Sequence, residues 1–206
     1  MPLKFSRAVE VCRASLLATG RIPLPEREAL VLALYANTDS IAARRLGQIR
    51  HVALDTLAVR KVLPLWHEVF PDDDGPEELL RLSRAYLAGD GEAASLRRKR
   101  DDNWVDWVEN RAYEDGQWAA MFVAAASAAV VTTALIDDLP DPADTRDDME
   151  YDADSLTAAA QASYAAAGGM PHQKNLKPGE PAAFWEWWLT EALPRVAVLD
   201  ESWCRG

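Results

Sequence analysis

Residues 118–136 read WAAMFVAAASAAVVTTALI, and this stretch decides the fold. None of its 19 residues is charged, and eight are alanine. The length just suffices to cross a bilayer, but Ala, Ser and Thr gain little from lipid, and acidic residues flank both ends. A helix that is apolar on all sides and built of small residues is typical of the centre of a bundle, where neighbours pack closely. We therefore expect the central helix of the fold here, and not a membrane span.

The chain on both sides of this stretch repeats its apolar residues with the period of a helix. Glycine and proline set the boundaries, because glycine ends helices readily and proline begins them. The predicted helices end first at Gly20, then cover 26–35, 40–53, 54–70, 76–88, 92–113 and 155–167, and resume at Pro181. Pro64 lies inside the fourth of these, so we expect a kink or a break at Leu63.

The whole chain has the length and composition of one folded domain. It has 206 residues, of which 49% are apolar and 27% charged, and this excludes a disordered protein. No segment alternates apolar and polar residues as a strand would. The sequence predicts an all-α fold: a single domain over residues 1–206, built as a bundle of about seven to nine helices around the central Ala-rich helix.

The net charge of −11 bounds the choice of partner. A chain this acidic repels phosphate backbones and anionic lipid, so neither a nucleic acid nor a membrane surface is an expected partner. A basic protein is a better match. The N-terminal residues mix charges into their apolar positions, unlike a signal peptide. With only Cys12 and Cys204, the chain is expected in the reducing cytoplasm.

Most of the negative charge lies in one segment, residues 137–154, which we call the acidic segment. It holds nine acidic residues and one arginine, a net of −8, whereas the remaining chain carries only −3. Acidic residues at any position on the surface would keep the protein soluble. Their clustering in one segment therefore favours a partner or an ion that binds there. The candidate partner-binding acids are Asp137, Asp138, Asp141, Asp144, Asp147, Asp148, Glu150, Asp152 and Asp154.

The same acids suggest an alternative function. Residues 137–141 fit the pattern DDxxD, and Asp147-Asp148 with Asp152 fit DDxxxD. On a helix such carboxylates hold Mg²⁺ ions that clamp a diphosphate, so a Mg²⁺-dependent all-α enzyme is the alternative. Pro140 lies inside the first motif and opposes the required helix. A weaker Ca²⁺ or Mg²⁺ site at Asp152 and Asp154 also remains open.

Other catalytic signals are weak. His51, His67 and His172 form no ligand pair, and no nucleotide-binding glycine motif occurs. The basic residues 97–100 are followed at once by two aspartates, which favours a solvated helix face. We predict no catalytic residue, no metal site and no cofactor.

Tryptophan is unusually frequent, with eight residues. In FWEWWL, residues 184–189, the apolar stripe is wider than one helix face usually buries. We therefore expect Trp185 or Trp187 to be partly exposed. An exposed indole is a candidate contact anchor, because tryptophan is enriched among interface hot spots.

Together with several shorter stretches, this aromatic run makes the chain resemble a known family, the polymorphic-toxin immunity proteins numbered five in the immunity-protein series. The strongest match is residues 184–189, preceded by Gly168-Gly169. The other matching stretches are LYA at 34–36, VLPLW at 62–66, FP at 70–71, YLAG at 86–89, DADS at 152–155 and Pro194.

The resemblance implies an intracellular antidote without catalysis, which binds and blocks the catalytic domain of a toxin delivered between bacteria. Many such toxin domains act on nucleic acid and are basic, so an acidic inhibitor suits them. Our hypothesis is that the acidic segment forms a charged rim and that Trp185 or Trp187 serves as an anchor. Reversing the charge of Asp141, Asp144, Asp147 and Asp148 tests it. A helical scaffold with another partner remains a third interpretation.

Overall fold

A computed structural model describes residues 3–35, 40–112, 117–136, 139–141, 143–152, 155–170, 177 and 179–205. These residues form helices and no strand, which confirms the all-α prediction. The α-helices are α1 (Leu3–Thr19), α2 (Leu24–Leu34), α3 (Ile41–His67), α4 (Gly75–Ala88), α5 (Ala93–Asn103), α6 (Trp118–Leu135), α7 (Ala158–Ala167), α8 (Glu180–Trp187) and α9 (Leu193–Ala197).

Two π-helices interrupt this series. Helix α5 continues directly into a π-helix over Trp104–Ala112, and α8 reaches α9 through a second one over Trp188–Ala192. Short 3-10 helices cover Asp148–Glu150 and Glu201–Arg205. The predicted helix 92–113 is therefore present, but its second half has the wider turn of a π-helix.

Helix α6 is the centre of the bundle, as its sequence predicts. It packs against α3, α4, α5, α7 and the first π-helix. By length and composition it is also long and apolar enough to cross a membrane, yet most of it is buried inside the fold. Its alanines let neighbouring helices approach closely, because a methyl group needs little space between two backbones.

Of the kink or break expected at Leu63, the break is wrong. Helix α3 runs without interruption from Ile41 to His67, so the predicted helices 40–53 and 54–70 are one element. Pro64 is exposed in the last turns of this helix, and so is Arg60, whose carbonyl would otherwise pair with residue 64. Water can satisfy that carbonyl on the outer face, so the proline is tolerated without ending the helix.

Helix ends follow the local signals closely. Gly89 and Gly168 end α4 and α7 in the left-handed conformation, with φ of 91° and 81°. Helix α7 begins at Ala158, later than predicted, because the Thr157 hydroxyl accepts a hydrogen bond from the Ala160 N–H at 3.3 Å and caps the helix there.

Both cysteines are buried free thiols, so no disulfide links them. Burial raises the pKa of Cys12 to about 12. Each thiol is therefore a core group, and neither is a reactive one.

Candidate functional site

The acidic segment connects α6 to α7. The structure describes its residues 139–141 and 143–152, whereas Asp137, Asp138 and Asp154 lie outside the described residues. Three arginines of the chain itself hold the described part: Arg21, Arg27 and Arg146. Its acids therefore differ in how far they remain available to a partner.

Asp148 forms a buried ion pair with Arg27 of α2. Arg27 is 3% exposed, and its guanidinium carbon lies 4.9 Å from the ring centroid of Trp185 in α8. The Asp148 carboxylate accepts from Nη2, while Nε and Nη1 have no hydrogen-bond partner among the described residues. A buried cation needs a counter-ion. Asp148 therefore fastens the acidic segment to α2 and α8.

Asp147 and Glu150 shape the turn that follows. The carboxylate of Asp147 lies 3.1 Å from the Arg21 guanidinium and also accepts from the Asp148 N–H at 2.9 Å. The Glu150 carboxylate accepts from the Asp147 N–H at 2.8 Å. This reciprocal capping box starts the 3-10 helix Asp148–Glu150. Arg21 is more than half exposed, so its pair with Asp147 contributes little to stability.

Asp144 is held within the segment. Arg146 donates to its carboxylate at 2.6 Å, and the Tyr151 hydroxyl donates to it at 2.6 Å. The hydrogen bonds from Arg146 and Tyr151 hold the pKa of Asp144 well below its usual range. The Arg146 guanidinium also lies 4.3 Å from the centroid of the Tyr151 ring. Asp144 thus stays ionised but is already neutralised by a neighbouring charge.

Several described residues of the segment are exposed, and four of them, Asp141, Met149, Glu150 and Asp152, are what we call the Met149 surface. All four are exposed, and Met149 exposes 49% of its area. Met149 also lines a cavity of about 220 Å³, together with Ile22, Tyr164 and Trp185. An apolar side chain among exposed carboxylates has the composition of a protein interface, with an apolar centre and a polar rim.

The two candidate tryptophans lie in different environments. Trp185 is 3% exposed and supports the acidic segment from within, through Arg27. Trp187 is half-buried, on the other flank of α8, with the Lys61 ammonium 5.1 Å from its ring centroid. The structure thus places the more exposed indole beside a lysine, whereas the buried one adjoins the acids.

The geometry does not support the alternative of a diphosphate enzyme. Asp147 and Asp148 lie at the start of a 3-10 helix and contact two different arginines, so they do not share one helix face. Within the described ranges, no group of three His, Cys, Asp or Glu residues could hold a metal ion. His51 lies 3.7 Å from Asp55, and His67 lies 2.6 Å from Glu77, each as a single pair.

A comparison with protein families decides the relationship. The family model described as immunity protein Imm5 matches residues 9–195. The chain belongs to this family. No curated protein matches the chain. The Imm5 match extends from α1 into α9 and includes the whole acidic segment and the π-helix after α5.

Several residues that carry the resemblance to Imm5 proteins have structural roles. Tyr35, Trp66 and Trp188 are buried, and Gly89 and Gly168 end helices. The Trp66 ring packs against Phe70 and Trp107, with centroids 4.6 and 4.7 Å away. These positions therefore belong to the core and the helix ends of this fold.

Sequence reasoning missed Arg27, which organises the acidic segment. A signal was available, because Arg27 occupies a core position of α2: Leu24, Leu30, Val31 and Leu34 are the other buried residues of this helix. A charge on the apolar face of a helix predicts a buried counter-ion. Its partner could not be named, because Asp148 lies 121 residues away along the chain.

Proposed function

We propose that this Imm5 protein is a cytoplasmic antidote: it binds the catalytic domain of a cognate bacterial toxin and blocks it, without catalysis of its own. The family match over residues 9–195 carries this proposal. The two buried free thiols support a reducing compartment.

The toxin domain that suits this protein is basic. The net charge of −11 raises the local concentration of a cationic partner, and such steering accelerates association by about 10 to 10³-fold. Speed is valuable to an antidote, because the toxin must be captured before it acts. A domain that cleaves or modifies nucleic acid has the required basic groove.

The Met149 surface is the proposed contact within the acidic segment. Asp141 and Asp152 are exposed, and neither forms an ion pair in the part of the chain that the structure describes. Asp147 and Asp148 already pair with Arg21 and Arg27. A specific complex buries roughly 1,600 Å² in total. One short segment supplies only part of that area, so neighbouring helices must contribute.

The test is binding to the toxin domain encoded beside this protein, by co-purification and then by calorimetry. Asp141→Lys/Asp152→Lys spares Asp147 and Asp148, so the segment keeps its arginine contacts. We expect weaker binding and a smaller dependence on salt, because two interfacial charges change sign. Asp90→Lys/Glu92→Lys is the matched control, since both acids are exposed and lie in another loop.

Failure of the wild type to bind this toxin domain would overturn the proposed function. Equal affinity and equal salt dependence for wild type and Asp141→Lys/Asp152→Lys would exclude the Met149 surface while leaving the antidote role intact.

A further inference from the structure

A second surface lies between the π-helix Trp104–Ala112 and α6. The two elements enclose a groove of about 430 Å³. Its floor is the central helix, which is uncovered here: Ala129 and Thr132 are half-buried, whereas Val130 and Val131 between them are buried. Its walls include Trp104, Val105 and Glu109 of the π-helix.

Two acids, Asp101 and Glu109, and one basic residue, Arg100, line this groove, and two more acids lie close by in the sequence. Residues 101–109 contain four acids and no basic residue, and all four acids are exposed. Asp101 pairs with the neighbouring Arg100 at 2.7 Å. Asp102, Asp106 and Glu109 form no ion pair with any side chain that the structure describes. Like Asp141 and Asp152 of the acidic segment, these three acids are exposed and form no ion pair with a described side chain.

Four of the groove's lining residues are apolar. Val105 exposes 45% of its area, Trp104 is half-buried, and Ala128 and Ala129 add only methyl groups. Trp104 and Glu109 line the same groove, so an indole and a carboxylate offer two features to one cation: a ring face and a counter-ion. The π-helix that presents them is a rare conformation, and such segments occur often at functional sites.

We propose that this groove is the docking site for an arginine side chain of a basic protein partner. Its guanidinium stacks on Trp104 and pairs with Glu109, while its aliphatic part lies along Val105 and Ala129. A planar guanidinium suits this site better than an ammonium, because it stacks on an aromatic ring and donates to a carboxylate at the same time. That the partner is the toxin rests on the proposed function.

Arg100, which also lines the groove, does not occupy the position proposed for the partner's arginine. Arg100 donates to Asp101 at 2.7 Å and to the Thr132 hydroxyl at 3.2 Å, at one end of the groove. Glu109 is nine residues further along the helix, which is about two turns. An incoming arginine that pairs with Glu109 therefore stays clear of Arg100.

A first experiment needs no toxin. The protein labelled with ¹⁵N is titrated with a blocked triarginine peptide at millimolar concentration, and the indole N–H resonance of Trp104 is identified with Trp104→Phe. We expect this resonance to shift and saturate. Glu109→Gln should weaken the effect, Glu109→Lys should abolish it, and Asp90→Lys should leave it unchanged. A triglutamate peptide should have no effect. An unmoved Trp104 resonance, or an equal shift with triglutamate, would overturn the proposal.

A second experiment uses the toxin domain. Ala129→Leu fills the groove without changing charge, and Glu109→Lys reverses the free carboxylate. Each should weaken toxin binding about tenfold, as expected for an arginine anchor. Wild-type affinity in both variants would overturn the groove and leave the antidote role standing. Should the wild type itself fail to bind the toxin, the proposed function falls, and the peptide titration alone decides the groove.

Discussion

Removal of the Asp148 carboxylate leaves Arg27 as an unpaired cation inside the protein. The side chains are 4% and 13% exposed for Arg27 and Asp148, so water cannot easily replace the lost partner. Nε and Nη1 of Arg27 already lack partners among the described residues, and Trp185 covers the guanidinium. Asp148→Ala should therefore destabilise the fold far more than the loss of a surface ion pair would.

The size of the effect follows from this burial. Breaking a buried ion pair by removing one partner costs about 3–5 kcal/mol. Asp148 is slightly exposed, so the guanidinium can relax toward water, and we expect the lower end, about 3 kcal/mol. For a chain of this length that lowers Tm by roughly 6–12 °C. Arg27→Met/Asp148→Ala should recover much of the loss, because a methionine packs under Trp185 without needing a counter-ion.

The assay is urea unfolding followed by far-UV circular dichroism, for the wild type, both single variants and the double variant. The free energies form a double-mutant cycle that isolates the coupling between Arg27 and Asp148. Arg146→Met is the control for an exposed ion pair, and it should destabilise the fold far less than Asp148→Ala does. A loss below about 0.5 kcal/mol in Asp148→Ala, or a double variant no more stable than Asp148→Ala, would refute the reasoning.

Two further predictions concern α3. Burial raises the pKa of Asp55 above its usual 3.8. The native state therefore holds the proton of this carboxyl more tightly than the unfolded chain does. As a result, the wild type loses stability as the pH rises from about 4 through the native pKa of Asp55. Asp55→Asn can still accept a hydrogen bond from the Thr133 hydroxyl, but it has no carboxyl proton to lose. Its unfolding free energy relative to the wild type should therefore increase between about pH 4 and pH 8. Urea titrations that give the same difference in unfolding free energy at both pH values would contradict this. At Gly47, a Cβ would lie 2.3 Å from Cδ1 and 2.8 Å from Cα of Tyr35. Gly47→Ala should therefore lower the unfolding free energy by about 1–3 kcal/mol, despite the higher helix propensity of alanine. The control is Gly91→Ala, where a Cβ would meet no atom nearer than 3.5 Å, and its unfolding free energy should stay within about 0.5 kcal/mol of the wild type.

Much of the fold was predictable because its signals are local. The uncharged stretch around α6 and the glycines after α4 and α7 each act within a few residues of themselves. Pro64 shows where local reasoning fails. Its effect on α3 depends on which face of the helix meets water, and that is decided by the neighbouring helices.

The candidate site was predictable only in outline. The sequence showed where the acidic segment lies, but it did not show which of its carboxylates pair with basic residues. Tertiary contacts divide these acids: Asp147 and Asp148 are held by arginines of the α1–α2 region, Asp144 by Arg146 and Tyr151, and Asp141 and Asp152 stay exposed. The same holds for the tryptophans, since the width of the stripe predicted one exposed indole but could not tell Trp185 from Trp187.

The sequence by itself determined the all-α fold, the central helix and the place where negative charge accumulates, because helix period and charge are properties of neighbouring residues. Only the tertiary structure decided which charges are available to a partner. Arg27 meets Asp148 across 121 residues, whereas Glu109, beside a groove on α6, pairs with no side chain that the structure describes. A carboxylate is neutralised when folding brings a basic side chain from a distant part of the sequence within a few ångströms of it. A local sequence pattern cannot predict such a long-range contact.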